Sequence, residues 1–288
     1  MKVARALFVA HYRIPHTCLS LQFDHYIQGI DETYIFTNCE NTEDNPFLDR
    51  VLSKYLDTSE FKYVFDGELD SLYPSVRNWW IPGDYRNSWL YQQALKLASL
   101  DYIDADVILI QDPDTFCINP YNLWEGDLLK YFILPNETHS PAYYQTLVNA
   151  LGIERQVPHS FVTEFMPVYK EDWLSLKHAL IKRNGCDPFD AIINNVPEDP
   201  NSLPTPNIKW FSEYELLGNW IMTQRDVALM EQKRYTYNHI DNIANCSADE
   251  YNCICDACPN LEDSVVFDNN EEVVTNFDEV FEKVKKFL

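Results

Sequence analysis

Glycine is scarce in this chain, at 7 of 288 residues, and no G-x-G-x-x-G occurs. Rossmann and P-loop sites need glycines where the backbone approaches phosphate, so both classes lose their main sequence support. Cations are scarce too, with 22 Lys and Arg against 45 Asp and Glu and a formal net charge of −23. Nucleic acid and anionic membranes bind through clustered cations, so broad affinity for either is disfavoured. The local group Lys177, Lys182 and Arg183 reads as cations completing the last turn of a helix. No stretch reaches the ~18 consecutive apolar residues needed to span a bilayer. Ala6-Leu7-Phe8-Val9-Ala10 is too short for the apolar core of a signal peptide. The expectation is a soluble, cytoplasmic protein with reduced cysteines, in which the sequons at Asn136 and Asn245 stay unglycosylated.

What is present is a globular composition, 46% hydrophobic and 14% aromatic, in a chain long enough to bury a sizeable core. Short apolar runs at Lys2 to Ala10, Thr33 to Thr37, Lys62 to Phe65 and Val107 to Ile110 predict buried strands. Helical signals alternate with them. One helix is expected from Asn87 or Ser88 to about Leu100, with Leu90, Ala94 and Leu97 on an apolar stripe. Ser140-Pro141 opens another that Gly152 stops, and Glu171 to Asn184 is closed by Gly185. Ser212-Glu213-Tyr214-Glu215 matches a capping box and predicts a helix to about Gln232. Residues 186 to 209 carry five prolines and read as a long surface loop. Alternating strands and helices predict an α/β fold with a mostly parallel sheet flanked by helices.

Asp112 and Asp114 follow the apolar run Val107 to Ile110, at the carboxyl end of a buried strand, where open α/β sheets bind ligands. Pro113 turns the chain and can let both carboxylates address one ion, directly or through water. Mn²⁺ or Mg²⁺ takes oxygen ligands from one or two carboxylates and completes its shell with substrate phosphates. An isolated Asp-X-Asp is also what a solvated turn after a strand looks like, so the company it keeps matters.

That company is the helix with Trp89, Gln92, Gln93 and Lys96, which share one face at offsets of three, four and seven. With Asp112-Pro113-Asp114-Thr115, His159-Ser160-Phe161-Val162 and Phe211 to Gly218, the chain resembles the GT-A glycosyltransferases. It is most similar to a bacterial and phage group with a Trp/Gln/Gln/Lys helix before an Asp-X-Asp-Thr motif. The resemblance spans residues 1 to 240; Pro113 departs from the commoner Asp-Ala-Asp and Asp-Ser-Asp forms. It implies a GT-A-like fold over 1–240 and an extension at 241–288. It also implies a glycosyltransferase of the EC 2.4 class that moves a sugar from a nucleoside-diphosphate sugar to a hydroxyl acceptor. The ion stabilises the leaving diphosphate. The acceptor is a glycan or lipid-linked glycan by default, or a hydroxylated base in phage DNA, which would need base flipping.

On that resemblance Trp89, Gln92, Gln93 and Lys96 contact the donor, His11 and Tyr12 meet its base and ribose, and His239 completes the metal shell. Each has a plainer reading as a satisfied core or surface residue. His159 is a candidate for lining the acceptor side. Glu213 is the candidate general base, because Glu215 is accounted for by the capping box. In the extension, Cys246, Cys253, Cys255 and Cys258 are a candidate Zn²⁺ set of irregular spacing, with ordinary thiols as the alternative. Phe277, Val280, Phe281, Val284, Phe287 and Leu288 predict an amphipathic C-terminal helix. Rival functions are a nucleotidyltransferase, a nucleotide-sugar hydrolase, or a non-catalytic nucleotide-sugar-binding protein.

Overall fold

A computed structural model describes residues 1–9, 20–21, 26–37, 61–79, 85–113, 115–135, 141–199, 208–209, 211–237 and 246–256. The fold is mixed α/β, with a mainly parallel sheet flanked by helices, as expected. The first strands are β1 (Val3–Val9), β2 (Ile27–Gln28), β3 (Glu32–Thr37) and β4 (Phe61–Phe65). Helix α1 (Asp66–Leu72), a 3-10 turn (Pro74–Trp79) and helix α2 (Tyr85–Tyr102) follow. Then come β5 (Val107–Gln111), β6 (Thr115–Cys117), β7 (Tyr121–Asn122), β8 (Trp124–Glu125), β9 (Leu128–Pro135) and α3 (Pro141–Leu151). Next are β10 (His159–Ser160), β11 (Phe165–Tyr169), α4 (Lys170–Asn184), α5 (Pro188–Ile193), β12 (Glu198–Asp199) and β13 (Ile208–Lys209). The series ends with α6 (Glu213–Gln224), β14 (Ala228–Glu231), β15 (Arg234–Tyr237) and β16 (Cys253–Asp256).

The chain divides into two compact units. The first comprises Met1–Ala6, Asp66–Ile110 and Trp124–Glu231. Its strand order runs β11-β5-β1, and every residue of β5 is buried, as a continuous apolar run requires of a strand covered on both faces. A second sheet has β9 between β10, antiparallel, and β14, parallel. Helices α4 and α6 pack on β11.

Helix α4 keeps its expected bounds: Glu171 and Asp172 lie in the first turn, Lys182 and Arg183 in the last, and Gly185 closes it at φ 71°. Two expectations fail. The helix opened by Ser212 stops at Gln224, where Arg225 turns extended, and β14 follows. The segment 186–209 is not all loop, because Asp187 caps Phe189 N and Pro188 occupies the first turn of α5, whose Phe189, Ala191 and Ile192 are buried.

The second unit comprises Leu7–Phe65, Gln111–Leu123 and Gln232–Leu288. Strand β3 lies between β1 and β4, and β3 and β4 are parallel. Phe8 stacks on Phe36 at 4.9 Å. The three-stranded sheet β15-β16-β6 includes residues beyond position 240, since β16 pairs parallel with β15 and antiparallel with β6. Residues 257–288, and with them the expected amphipathic helix, lie outside the described residues. Among the described residues no helix is long and apolar enough to cross a membrane.

Candidate functional site

In the second unit, Asp112 leaves the carboxyl end of β5 half-buried. The turn it opens is fixed by its neighbours. Gln111, fully buried, donates through Nε2 to the Thr115 carbonyl and to Ser20 Oγ, both at 2.8 Å. Thr115 N donates to the Asp112 carbonyl at 3.4 Å. Pro113, within the turn, is buried. Asp114, His11, Tyr12 and His239 lie outside the described residues.

The strand register supplies what these positions do not. Cys255 of β16 is opposite Thr115 on one side and Thr236 on the other. The first residue of β6 and the last residues of β15 are therefore at one end of one sheet, two strand spacings or about 10 Å apart. In sequence, Asp114 immediately precedes Thr115 and His239 is the second residue after Tyr237.

In the first unit, the helix motif and the Phe211 to Gly218 motif meet. Lys96 Nζ donates to Glu213 Oε1 at 2.7 Å, with the two side chains 1% and 0% exposed. The ammonium lies 4.6 Å from the Tyr214 ring centre, a cation–π contact. The Gln93 amide, also buried, faces the same carboxylate. The face carrying Gln93 and Lys96 is thus enclosed, while Gln92 is half-buried and Trp89 stacks on Tyr143 of α3 at 6.4 Å.

The third motif joins at Glu215. Ser212 Oγ accepts from Glu215 N at 3.3 Å, one half of the expected capping box. The Glu215 carboxylate does not return to the cap. Its Oε1 accepts from Ser160 Oγ at 2.7 Å, Phe161 N at 3.1 Å and the Tyr144 hydroxyl at 3.2 Å, and its Oε2 from Asn219 Nδ2 at 3.0 Å. Burial pushes the Glu215 carboxyl above its ordinary range, opposed by those donors and by the nearby Arg155 charge. Asn219 Oδ1 also accepts from Gln156 N at 2.7 Å, so the segment before β10 is tied to α6 at two levels. Phe161 lies flat against Gly218, where a Cβ would overlap its ring. His159 is half-buried at the start of β10, opposite Pro135.

Ser160, Tyr144 and Asn219 were not singled out in the sequence as partners of a carboxylate. Each is an ordinary polar residue locally, and only tertiary packing brings them to Glu215. Of the four candidate zinc cysteines, Cys246 and Cys253 are buried and outside any disulfide, the side chain of Cys255 is not described, and Cys258 lies outside the described residues. Among the described residues, no group of three His, Cys, Asp or Glu is arranged to hold a metal.

No protein-family model matches the chain, and no curated protein does. Solved structures of LgtC are similar to it over 99% of this chain and 100% of theirs. An active-site mutant of LgtC matches at 10% identity with a TM-score of 0.48. The galactosyltransferase LgtC in complex with donor and acceptor sugar analogs matches at 9% identity with a TM-score of 0.49.

Proposed function

We propose that this chain is a metal-dependent glycosyltransferase of GT-A-like fold that moves a sugar from a nucleoside-diphosphate donor to a hydroxyl acceptor. The observation that carries the reading is the register of β15, β16 and β6. It sets the strand that begins after Asp112-Pro113-Asp114 and the strand that ends before His239 at the same end of one sheet. Two carboxylates and an imidazole are a donor set suited to Mn²⁺ or Mg²⁺. Asp112, Asp114 and His239 would hold that ion, which would offset the charge of the departing nucleoside diphosphate. Trp89, Gln92 and the His11-Tyr12 segment are proposed for the donor side, and His159 for the acceptor side. Glu213 is enclosed and bound to Lys96, a geometry that suits an anchor of α6 better than a proton acceptor. Glycan acceptors come first for testing, because a net charge of −23 opposes a DNA substrate.

The test is a thermal-shift screen of nucleoside diphosphates and their sugars with and without Mn²⁺. One nucleotide should stabilise the protein only with metal, and Asp112→Ala, Asp114→Ala and His239→Ala should each weaken that response at least tenfold. Unchanged metal-dependent binding in both Asp variants sinks the metal assignment. Nucleotide-sugar breakdown to which no acceptor ever adds would identify a hydrolase.

A further inference from the structure

Cys117 and Cys253 form a thiol pair whose geometry is set by the β6–β16 register. They are directly opposite each other in an antiparallel ladder, both buried, with sulfurs 3.8 Å apart. Ile118 N donates to the Asn252 carbonyl at 3.0 Å, while Cys253 N points away from β6, to the Lys233 carbonyl at 3.3 Å. The alternation of antiparallel ladders then makes 117 and 253 a non-hydrogen-bonded pair, the kind in which Cα atoms approach to about 4.5 Å and side chains are closest. That separation lies within the range a disulfide bridges. Side-chain rotation from 3.8 Å to a bond of about 2.05 Å is all the sulfurs need.

We propose that Cys117 and Cys253 are a latent disulfide, a modification site that closes by exchange with a small-molecule disulfide such as oxidised glutathione. One thiolate attacks a sulfur of the small disulfide, forming a mixed disulfide and releasing one thiol. The second thiolate attacks the protein sulfur of that mixed disulfide and releases the other thiol. Both cysteine protons end on the two released thiols. The protein loses two electrons and the small disulfide gains them. Neither sulfur is exposed, so exchange runs through opening of β6, which has three residues and lies at the edge of its sheet. That makes closure slow and the closed bond well shielded from reductants.

The consequence falls on the turn before β6. Thr115 is the first residue of β6 and donates to the Asp112 carbonyl, while Gln111 holds the Thr115 carbonyl. A covalent tie two residues further along restrains that turn through the strand. It also closes a long loop between positions 117 and 253, which removes more freedom from the unfolded chain than a short loop would. The inference does not depend on the glycosyl-transfer reading.

The experiment incubates the full-length protein with oxidised glutathione at pH 8.5, blocks the remaining thiols by alkylation, and maps the peptides by mass spectrometry. The expected product links the Cys117 and Cys253 peptides, raises the Tm by at least about 5 °C, and slows amide exchange of residues 115–118 and 252–256 tenfold or more. Cys117→Ser should abolish the link, the Tm rise and the slowed exchange. If that variant does not fold, the wild-type peptide map decides alone. Cys253 joined to Cys246, Cys255 or glutathione in place of Cys117 overturns the proposal, as does a protein whose other thiols oxidise while these two stay free.

Discussion

Lys96 on α2 and Glu213 at the first position of α6 form an ion pair that solvent does not reach, although 117 residues separate them. Two charges in such a place hold each other's desolvation cost. Removing one leaves the other uncompensated. Lys96→Met should therefore destabilise the protein by about 3–5 kcal/mol, read from urea unfolding. Lys96→Met with Glu213→Leu should recover most of that loss, since the enclosing residues then meet two apolar side chains.

The neutral pair Lys96→Gln with Glu213→Gln separates anchoring from proton transfer. No carboxylate atom of Glu213 faces solvent, so sugar transfer by the folded double variant should stay within a few fold of the parent. A loss of about a hundredfold or more at unchanged donor affinity would instead assign Glu213 the acceptor proton. Steady-state kinetics on the two proteins decides.

Ser160 supplies the shortest of the hydrogen bonds to the Glu215 carboxylate. A hydrogen bond to a buried charged group contributes more than a neutral one, so Ser160→Ala should cost about 1.5–3 kcal/mol. Ser160→Thr, which keeps the hydroxyl, should cost less than half of that. Equal losses in the two variants, measured by chemical denaturation, would remove the hydrogen bond from the explanation.

Strands β1, β3, β4 and β5 were readable as short, largely apolar runs and α4 because its charges and Gly185 mark both ends, whereas β11 of the same sheet was not. Three separated motifs were legible as candidates, but not that all three meet on α6. The capping pattern at Ser212 accounted for Glu215 locally and so hid its partner Ser160, 55 residues earlier. The polar face of α2 allowed two readings, donor contact or plain surface, and its enclosure stayed hidden because a buried Lys is indistinguishable in sequence from an exposed one until Glu213 is placed against it. Helix α5 was hidden by counting prolines without asking where they stood, since Asp187-Pro188 is a helix start. The end of α6 was missed because apolar residues continue past Gln224 into β14, whose partners on β9 are 98 residues earlier.

Gly218 is helical, and its lack of a side chain is what lets the Phe161 ring lie on α6. Gly218→Ala would gain helix propensity by about 1 kcal/mol at an open site. Here the new methyl overlaps the ring, and overpacking costs about 1–3 kcal/mol or more, so the net change should be destabilising. Adding Phe161→Leu should return part of the loss. A thermal melt in which Gly218→Ala is more stable than the parent would show that Phe161 shifts freely.

Asp66, at the start of α1, has its carboxyl pushed up to about 7 from 3.8, first by burial and then by the charge of Asp70. A carboxyl whose pKa is raised by folding binds a proton in the folded state that the unfolded chain has already released. Its contribution is complete below about pH 4 and is lost as pH rises through about 7. Glu215 and Asp172, also raised by burial, act in the same direction. Tm should accordingly fall across this window, and Asp66→Asn, which keeps the shape without the ionisation, should flatten the slope. The measurement is Tm against pH from 4 to 8 in parent and variant. Parallel curves would mean that Asp66 titrates at its ordinary pKa, with the Asp70 carboxylate, held by Arg77 and the Tyr91 hydroxyl, exerting no charge upon it.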